Sequence, residues 1–494
     1  MTLSLNRRQF LLASGAAMIG AGRARSQNGP RRVLIAGAGL TGLSAAYQLA
    51  KAGYQVSVIE ARARHGGRVF TLRDQFADGL YVETGGEVAG DGYKRFLAYC
   101  REFNVAVDEV VGGESRAMAT MMRGRIYQPG EAIDPHPYGL VGDEALPPPQ
   151  LLAKHLRAMG EEAAANPAKL AEFDSLSLEG ALKARGVSLQ AISLMNVSLN
   201  YNGIGTVSAA GALWETRRRA SAGTKAMRVR GGNSRLTDAL STAASRAGVQ
   251  FIYGAAVLRV AHSSKGVLVW TKDAESLALT GEQNRYWFYN ESPPPLEADH
   301  FISTLPATTL RDIHFHPALP REKWSAISEL PYTRVTKIWL QARRAAWDEA
   351  GYGAGLWTDT ILERVLALPG DPKATRGVFV VWQDGAPRSL PNNQSLDHLD
   401  HSQRMQWVRK TMADELPRFA PAIEGGASVA WATDPWARGA YAHFATGQLM
   451  SLRPHLATPV GRLHFAGEHT AENSPGMEGA LESAERVVAE IKGQ

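Results

Sequence analysis

The sequence predicts an α/β protein in which a parallel sheet flanked by helices carries a second domain, a β-sheet with a helical cap. Two fragments at opposite ends of the 494 residues predict it. Residues 33–60, VLIAGAGLTGLSAAYQLAKAGYQVSVIE, read as a strand, a glycine turn, a helix of small residues and a second strand ending on an acid. Residues 463–491, LHFAGEHTAENSPGMEGALESAERVVAEI, read as a strand followed by a helix. Gly37 and Gly467 stand 430 residues apart, so if both touch one ligand, everything between them is inserted into a single binding domain.

Composition sets the limits of that reading. The chain is too long for one ordinary core, and 45% hydrophobic residues can fill two or more. Four of the six net positive charges belong to Arg7, Arg8, Arg23 and Arg25, in a leader without acids. The remainder is nearly balanced and gives no reason to invoke nucleic acid. Cys100 is the single cysteine, which excludes an internal disulfide and a cysteine-based metal cluster; it reads as a small buried apolar side chain.

Taken in order, residues 1–26 read as an address. Asn6-Arg7-Arg8-Gln9-Phe10-Leu11-Leu12 precedes a mild apolar run to Ala21, and Ala24-Arg25-Ser26 offers small residues for cleavage. This stretch resembles a twin-arginine export signal, which implies the export machinery as a partner and a periplasmic or secreted destination. Its apolar run is too short to anchor in a bilayer, and a cytosolic protein with a basic leader is the rival reading. Residues 31–112 alternate strands, turns and a helix, the first part of the binding domain. Residues 113–226 belong to the second, substrate domain; 143–225 are rich in Ala, Leu and Glu at helical spacing after Pro147-Pro148-Pro149, hence a helical cap.

Residues 227–262 return to the binding domain, and 263–430 complete the substrate domain. Within the latter, 272–298 contains Tyr286, Trp287, Phe288 and Tyr289 and reads as an extended hairpin or loop, its aromatics packed on the domain beneath or offered to a partner. HFISTLP (300–306) reads as strand then turn, and TRVTKIWLQA (333–342) as a strand that puts Val335, Lys337 and Trp339 on one face. Residues 431–494 close the binding domain.

Gly37-x-Gly39-x-x-Gly42 is a phosphate turn. The first glycine permits the bend, the second lets backbone approach a pyrophosphate, and the third permits close helix packing, with the helix start supplying positive potential. Glu60, at the end of QVSVIE, is placed to bind a ribose hydroxyl pair. This Rossmann-like fingerprint leaves FAD and NAD open. The residues beyond Glu60 make the choice: Arg62, Gly66-Gly67 and Arg68 suit a longer, bent cofactor, and Gly85-Gly86 before Glu87 would let backbone approach an isoalloxazine.

At this point the sequence resembles the flavin-containing amine oxidase family, which includes monoamine, polyamine and L-amino-acid oxidases. The blocks that carry the resemblance are GAGLTGL with Glu60, ARHGGRVFTL, VETGGEVAG, RGGNSRL with AAVLRV, and FAGEHTAENSPGMEGALESAERV. It implies an FAD-binding domain in three parts (31–112, 227–262, 431–494), with Val257 backbone at the adenine, Glu468 after Gly467 at ribityl or phosphate groups, and the Gly476 and Met477 amides facing the ring. It further implies Lys337 as the strand lysine that holds a water near flavin N5, Trp431 near the ring, and Tyr441 as an aromatic wall steering the amine. Position 440, where some monoamine oxidases attach the flavin through cysteine, is Ala440, so FAD would be bound without a covalent link.

The implied reaction is hydride removal from the carbon bearing a primary or secondary amine, amino acids included, to flavin N5. The imine hydrolyses to an aldehyde or keto acid, and oxygen is reduced to hydrogen peroxide. The cofactor carries the hard chemistry, so the protein must orient the substrate and keep its amine neutral. On substrate class the sequence is mixed. A second wall falls on Gly476, unlike monoamine oxidases. The arginine that amino-acid oxidases place after the TGG-like block is missing from Glu87-Val88-Ala89-Gly90, leaving Arg438 or a cap arginine to serve. A flavin desaturase or dehydrogenase not acting on amines is one alternative, against which Lys337 and Tyr441 argue. A non-catalytic flavoprotein partner of an envelope complex is another, for which only 272–298 speaks. His314-Phe315-His316 lacks a third ligand nearby, so no metal is expected; a homodimer is compatible with all of this.

Overall fold

The computed structural model describes residues 30–110, 118–199, 201–280, 294–369, 374–384 and 395–493. The leader and the aromatics 286–289 lie outside the described residues.

A five-stranded parallel sheet forms the floor of the binding domain, in the order Gln250–Tyr253, Gln55–Glu60, Arg32–Ala36, His300–Ser303, Leu463–Phe465. Order reverses at Arg32–Ala36, so the crevice beyond its carboxyl end is where such sheets hold ligands. Helices Leu40–Lys51, Ser234–Arg246 and Gly476–Lys492 cover one face through Leu43, Leu49, Leu236, Leu240, Leu481 and Val487, all fully buried. Strands buried on both faces read as continuous apolar runs, as VLIA and VSVI do. Four sequence segments therefore meet in one sheet, and one of them, His300–Ser303, corrects the reading of 263–430 as wholly substrate domain, since it pairs between Arg32–Ala36 and Leu463–Phe465.

The second domain rests on a seven-stranded sheet, ordered Ile423–Ala430, Thr336–Arg343, Arg376–Gln383, Arg364–Ala367, Gly355–Thr358, Ala119–Met122, Arg125–Tyr127. Alternation along Thr336–Arg343 decides its two faces. Ile338, Leu340 and Ala342 point into a core with helix His401–Glu415, where Trp347 meets Tyr352, Phe379 and Phe419 at 4.7, 4.7 and 5.0 Å. Lys337 and Trp339 point the other way. The strand is flanked on both sides, so Lys337 is interior to the sheet.

Five helices, Pro148–Ala165, Ala168–Asp174, Leu178–Ala184, Leu189–Met195 and Ala209–Ala220, make the cap. Ser177, Ser188 and Ser208 each accept a backbone amide bond at a helix start, and Pro147-Pro148 opens the first helix. Their apolar faces join one core that reaches Tyr332, Trp357 and Phe444 of the sheet domain, which fixes the cap over it.

One expectation is corrected. Residues 274–280, read as part of a hairpin or loop, form a helix. Asp273 caps it, its Oδ1 accepting from the Ser276 amide and hydroxyl at 2.8 Å, and the adjoining Ala-Glu-Ser-Leu-Ala-Leu run has good helix formers. Among the described residues no helix is long and apolar enough to cross a membrane, and no cluster of three metal-ligating side chains occurs.

Candidate active site

A cavity of about 1000 Å³ runs from the carboxyl end of the parallel sheet to the seven-stranded sheet and the cap. Gly37, Gly39, Glu60, Arg62, Gly67, Arg68, Gly85, Gly86, Glu87, Val257, Lys337, Trp431, Tyr441, Gly467, Glu468, Gly476 and Met477 all line it. Gly42 does not; a Cβ there would stand 2.0 Å from the Gly37 carbonyl oxygen, so its place is the contact between helix and turn.

At the nucleotide end, backbone conformation does the work. Gly37 has φ +100° and Gly467 +132°, and a Cβ on either would strike Thr304 Oγ1 at 2.6 Å or the His469 ring at 2.7 Å. Glu60, almost fully buried, accepts the Ala38 and Arg62 amides at 2.8 Å each, which holds the carboxylate at the strand end beside the glycine turn. Arg62 is paired with Asp434, and Arg68 donates to Glu468 at 3.0 Å, so two distant segments are tied across the groove. Burial depresses His469 to a pKa of about 3, leaving the imidazole neutral beside Gly467.

Next comes a turn with every carbonyl engaged. Lys337 Nζ donates to Glu83 O at 3.5 Å and Gly85 O at 3.2 Å, Trp431 Nε1 to Thr84 O at 2.8 Å, and Asn233 Nδ2 to both Gly86 O and Glu87 O at 2.9 Å. Gly85 and Gly86 are required here: a Cβ would meet Arg68 O at 1.8 Å or the Met477 side chain at 2.9 Å. The result is a rigid backbone wall. Lys337 has a third bond, to Glu87 Oε2 at 3.0 Å, and its ammonium lies 4.1 Å from the Trp382 ring centroid. An ammonium has three donors, and all three point at protein acceptors. The geometry makes Lys337 the pin of the 83–87 turn, on the cavity face where the resemblance places a lysine that holds a water.

The far wall comes from the cap and from paired strands. Arg219, on the last turn of Ala209–Ala220, donates through Nη2 to the Tyr441 hydroxyl at 3.3 Å and through Nε to Glu215 Oε1 at 2.9 Å. Glu215 Oε2 takes Arg218 at 3.1 Å, and Arg218 in turn binds the carbonyls of Ser474 and Glu468. One carboxylate thus serves two arginines, and Arg219 keeps its outer face toward the cavity. Burial raises the Tyr441 phenol above its usual value, with Arg219 pulling the other way. Gly476 has φ +52°, a conformation that disfavours a second aromatic at this position, and Tyr93 Oη stands 3.4 Å from where its Cβ would be. Tyr93 itself lines the cavity there, its pKa pushed up to about 12 by burial.

Sequence reasoning missed Tyr93, Asn233, Arg364 and Trp382 as members of this site, and pointed to Arg219 only as one of the cap arginines. Asn233 lies inside the RGGNSRL block, and Arg217-Arg218-Arg219 was visible as a basic run at a helix end, where cations suit the helix dipole on any surface. Trp382 becomes visible only through strand pairing, which sets it opposite Lys337. Arg438, offered as a carboxylate binder, is paired with Asp312 at 2.7 Å.

A glycine-turn crevice at the carboxyl end of a parallel sheet, continuing beneath a separate sheet and cap, defines the class: a two-domain α/β protein whose domains share one cavity. The chain belongs to the flavin-containing amine oxidoreductase family, whose sequence model, flavin containing amine oxidoreductase, matches residues 40–492. The L-amino-acid oxidase of Pseudechis australis is 26% identical over 470 residues, covering 94% of this chain and 86% of that protein. The cyclohexylamine oxidase of Brevibacterium oxydans IH-35A has the same fold, with a TM-score of 0.74 at 22% identity, over 94% of this chain and 99% of that one. A putrescine oxidase bound to putrescine superposes with a TM-score of 0.73 at 21% identity, over 94% and 99%.

Proposed function

We propose that this protein is an exported, FAD-dependent oxidase of an amine that also bears a carboxylate, an amino acid or a close relative. The flavin of the family fits the site as FAD. The glycine turn, the Glu60 carboxylate and the start of the helix at Gly476 line one cavity of about 1000 Å³, which the clamped 83–87 turn also lines. The link would be non-covalent, since Ala440 lines the cavity while Cys100 is buried in the helix layer, its thiol pushed up to about 12 by burial. Bound there, FAD would take a hydride from the carbon bearing the nitrogen and pass the electrons to oxygen.

The chain's own part is to bind, orient and exclude water. The observation that carries the carboxylate is Arg219, held by Glu215 and Tyr441 with its charge facing the cavity. A guanidinium so fixed accepts a carboxylate at little cost in side-chain order. The Tyr441 hydroxyl stands beside it, and Trp382, Trp431 and Tyr93 form apolar walls. Export would follow from the leader at 1–26.

Anaerobic absorbance during addition of amines and amino acids tests this. Bleaching of the flavin band by amino acids at lower concentration than by their decarboxylated amines is expected. Bleaching by simple amines alone would remove the carboxylate, and no bleaching, with dithionite still reducing the flavin, would remove amine oxidation.

A further inference from the structure

Resting on that reading, a second charged anchor stands out at the same end of the cavity. Arg364 lies 6.0 Å from the Trp382 ring centroid, and Trp382 covers Lys337, which is bonded to Glu87. The charged side chains of this wall include Arg218, Arg219, Arg364, Glu215, Lys337 and Glu87, with Glu83 buried behind the turn. Glu215 has both oxygens engaged by arginines, and Lys337 has all three donors engaged. Among the carboxylates of this wall, Glu87 differs. Its Oε2 accepts from Lys337, its backbone carbonyl from Asn233, and Oε1 has no partner among the described residues. The side chain is 20% exposed, toward the cavity, while Lys337 beneath it is 1% exposed. A carboxylate fixed at backbone and side chain, with one oxygen open in a walled cavity, is a preorganised cation acceptor.

We propose that Glu87 Oε1 receives the substrate's nitrogen as an ammonium and that Glu87, with Arg219, sorts substrates by charge at two ends. Lys337 acts through Glu87, holding its aim. Because a neighbouring carboxylate favours the charged form of the bound nitrogen, Glu87 also sets the pH at which that nitrogen loses its proton ahead of oxidation. Glutamine keeps an acceptor for Lys337, so Glu87→Gln removes the charge with the turn intact.

The test uses the FAD-loaded full protein and two matched sets: L-phenylalanine, 2-phenylethylamine and 3-phenylpropionate; and L-leucine, 3-methylbutylamine and 4-methylpentanoate. Perturbation or bleaching of the flavin spectrum is tracked against concentration and pH. In Glu87→Gln the half-saturating concentration of the nitrogen-bearing probes should rise about 10- to 100-fold while the two carboxylates bind as in wild type. The acid limb of the limiting bleaching rate should move to lower pH. Glu87→Asp should recover part of the affinity, and Lys337→Met/Glu87→Gln, which leaves no buried charge unpaired, should stay as weak as Glu87→Gln. Unchanged amine affinity in Glu87→Gln overturns the proposal and leaves the oxidase reading standing. Equal loss of amines and carboxylates, or recovery in the double variant, shows a merely structural ion pair and overturns it too. A wild-type flavin that no nitrogen-bearing probe perturbs overturns the oxidase reading and Glu87 together.

Discussion

The two ends of the cavity are built differently. At the nucleotide end, Gly37, Gly39 and Glu60 come from one contiguous strand, turn, helix and strand, and their contacts are largely backbone. At the substrate end, Glu87, Arg219, Lys337, Trp382 and Tyr441 come from five separate segments and meet through side chains. A backbone cradle tolerates few changes but recognises whatever shares the phosphate chemistry, whereas a side-chain wall can change one residue at a time. The difference teaches where family membership resides and where substrate choice does.

Gly42→Val should break the nucleotide end outright. Its Cβ would overlap the Gly37 carbonyl, so purified protein should lack the yellow band, by FAD absorbance per chain. A variant that retains full FAD would show that the turn can relax. Arg219→Met attacks the other end: amino acids should lose about 10- to 100-fold in half-saturation, decarboxylated amines little, with FAD retained. Tyr441→Ala should show the same pattern, harming oxidation rather than cofactor retention. Equal loss for both ligand classes would mean that Arg219 supports the cap alone.

Lys337→Met sharpens the comparison, since Lys337 pins the 83–87 turn that lies between the two ends. Releasing the 83–87 turn should slow flavin reduction or reoxidation about tenfold or more, with bound FAD kept. Normal rates in both half-reactions would limit Lys337 to packing. The smallest effect concerns pH. Burial lowers His443 to about 4 and His469 to about 3, so both are neutral when folded. Below pH 6.5 the unfolded chain binds protons that the fold refuses, so stability is full above 6.5 and falls toward pH 4. Denaturant midpoints at pH 7, 5.5 and 4.5 should decline, and His443→Gln should flatten the slope by about 1–3 kcal/mol; an unchanged slope would place the titrating group elsewhere.

The legible part of the molecule divides along the same line. The phosphate turn, the cap helices after Pro147 and the alternating strand around Lys337 each declare themselves within a short window, because local backbone geometry restricts residue choice there. The helix at 274–280 is harder to read because it is short and runs into a polar, aromatic stretch, so its Asp273 cap is the one local sign of it. Lys337 was legible as a buried lysine, yet its bond to Glu87 was not, since a carboxylate 250 residues away leaves no trace in local spacing.

By itself the sequence determined the parallel sheet, its glycine turn and closing acid, the helical cap and the inserted second domain, because each depends on periodicity and backbone conformation. Only the tertiary structure decided that Arg219 faces Tyr441, that Tyr93 fills the space beside Gly476, and that Glu87 is held open over Lys337. Those contacts join residues far apart along the chain, and their geometry exists only once the sheets and cap have closed around one cavity.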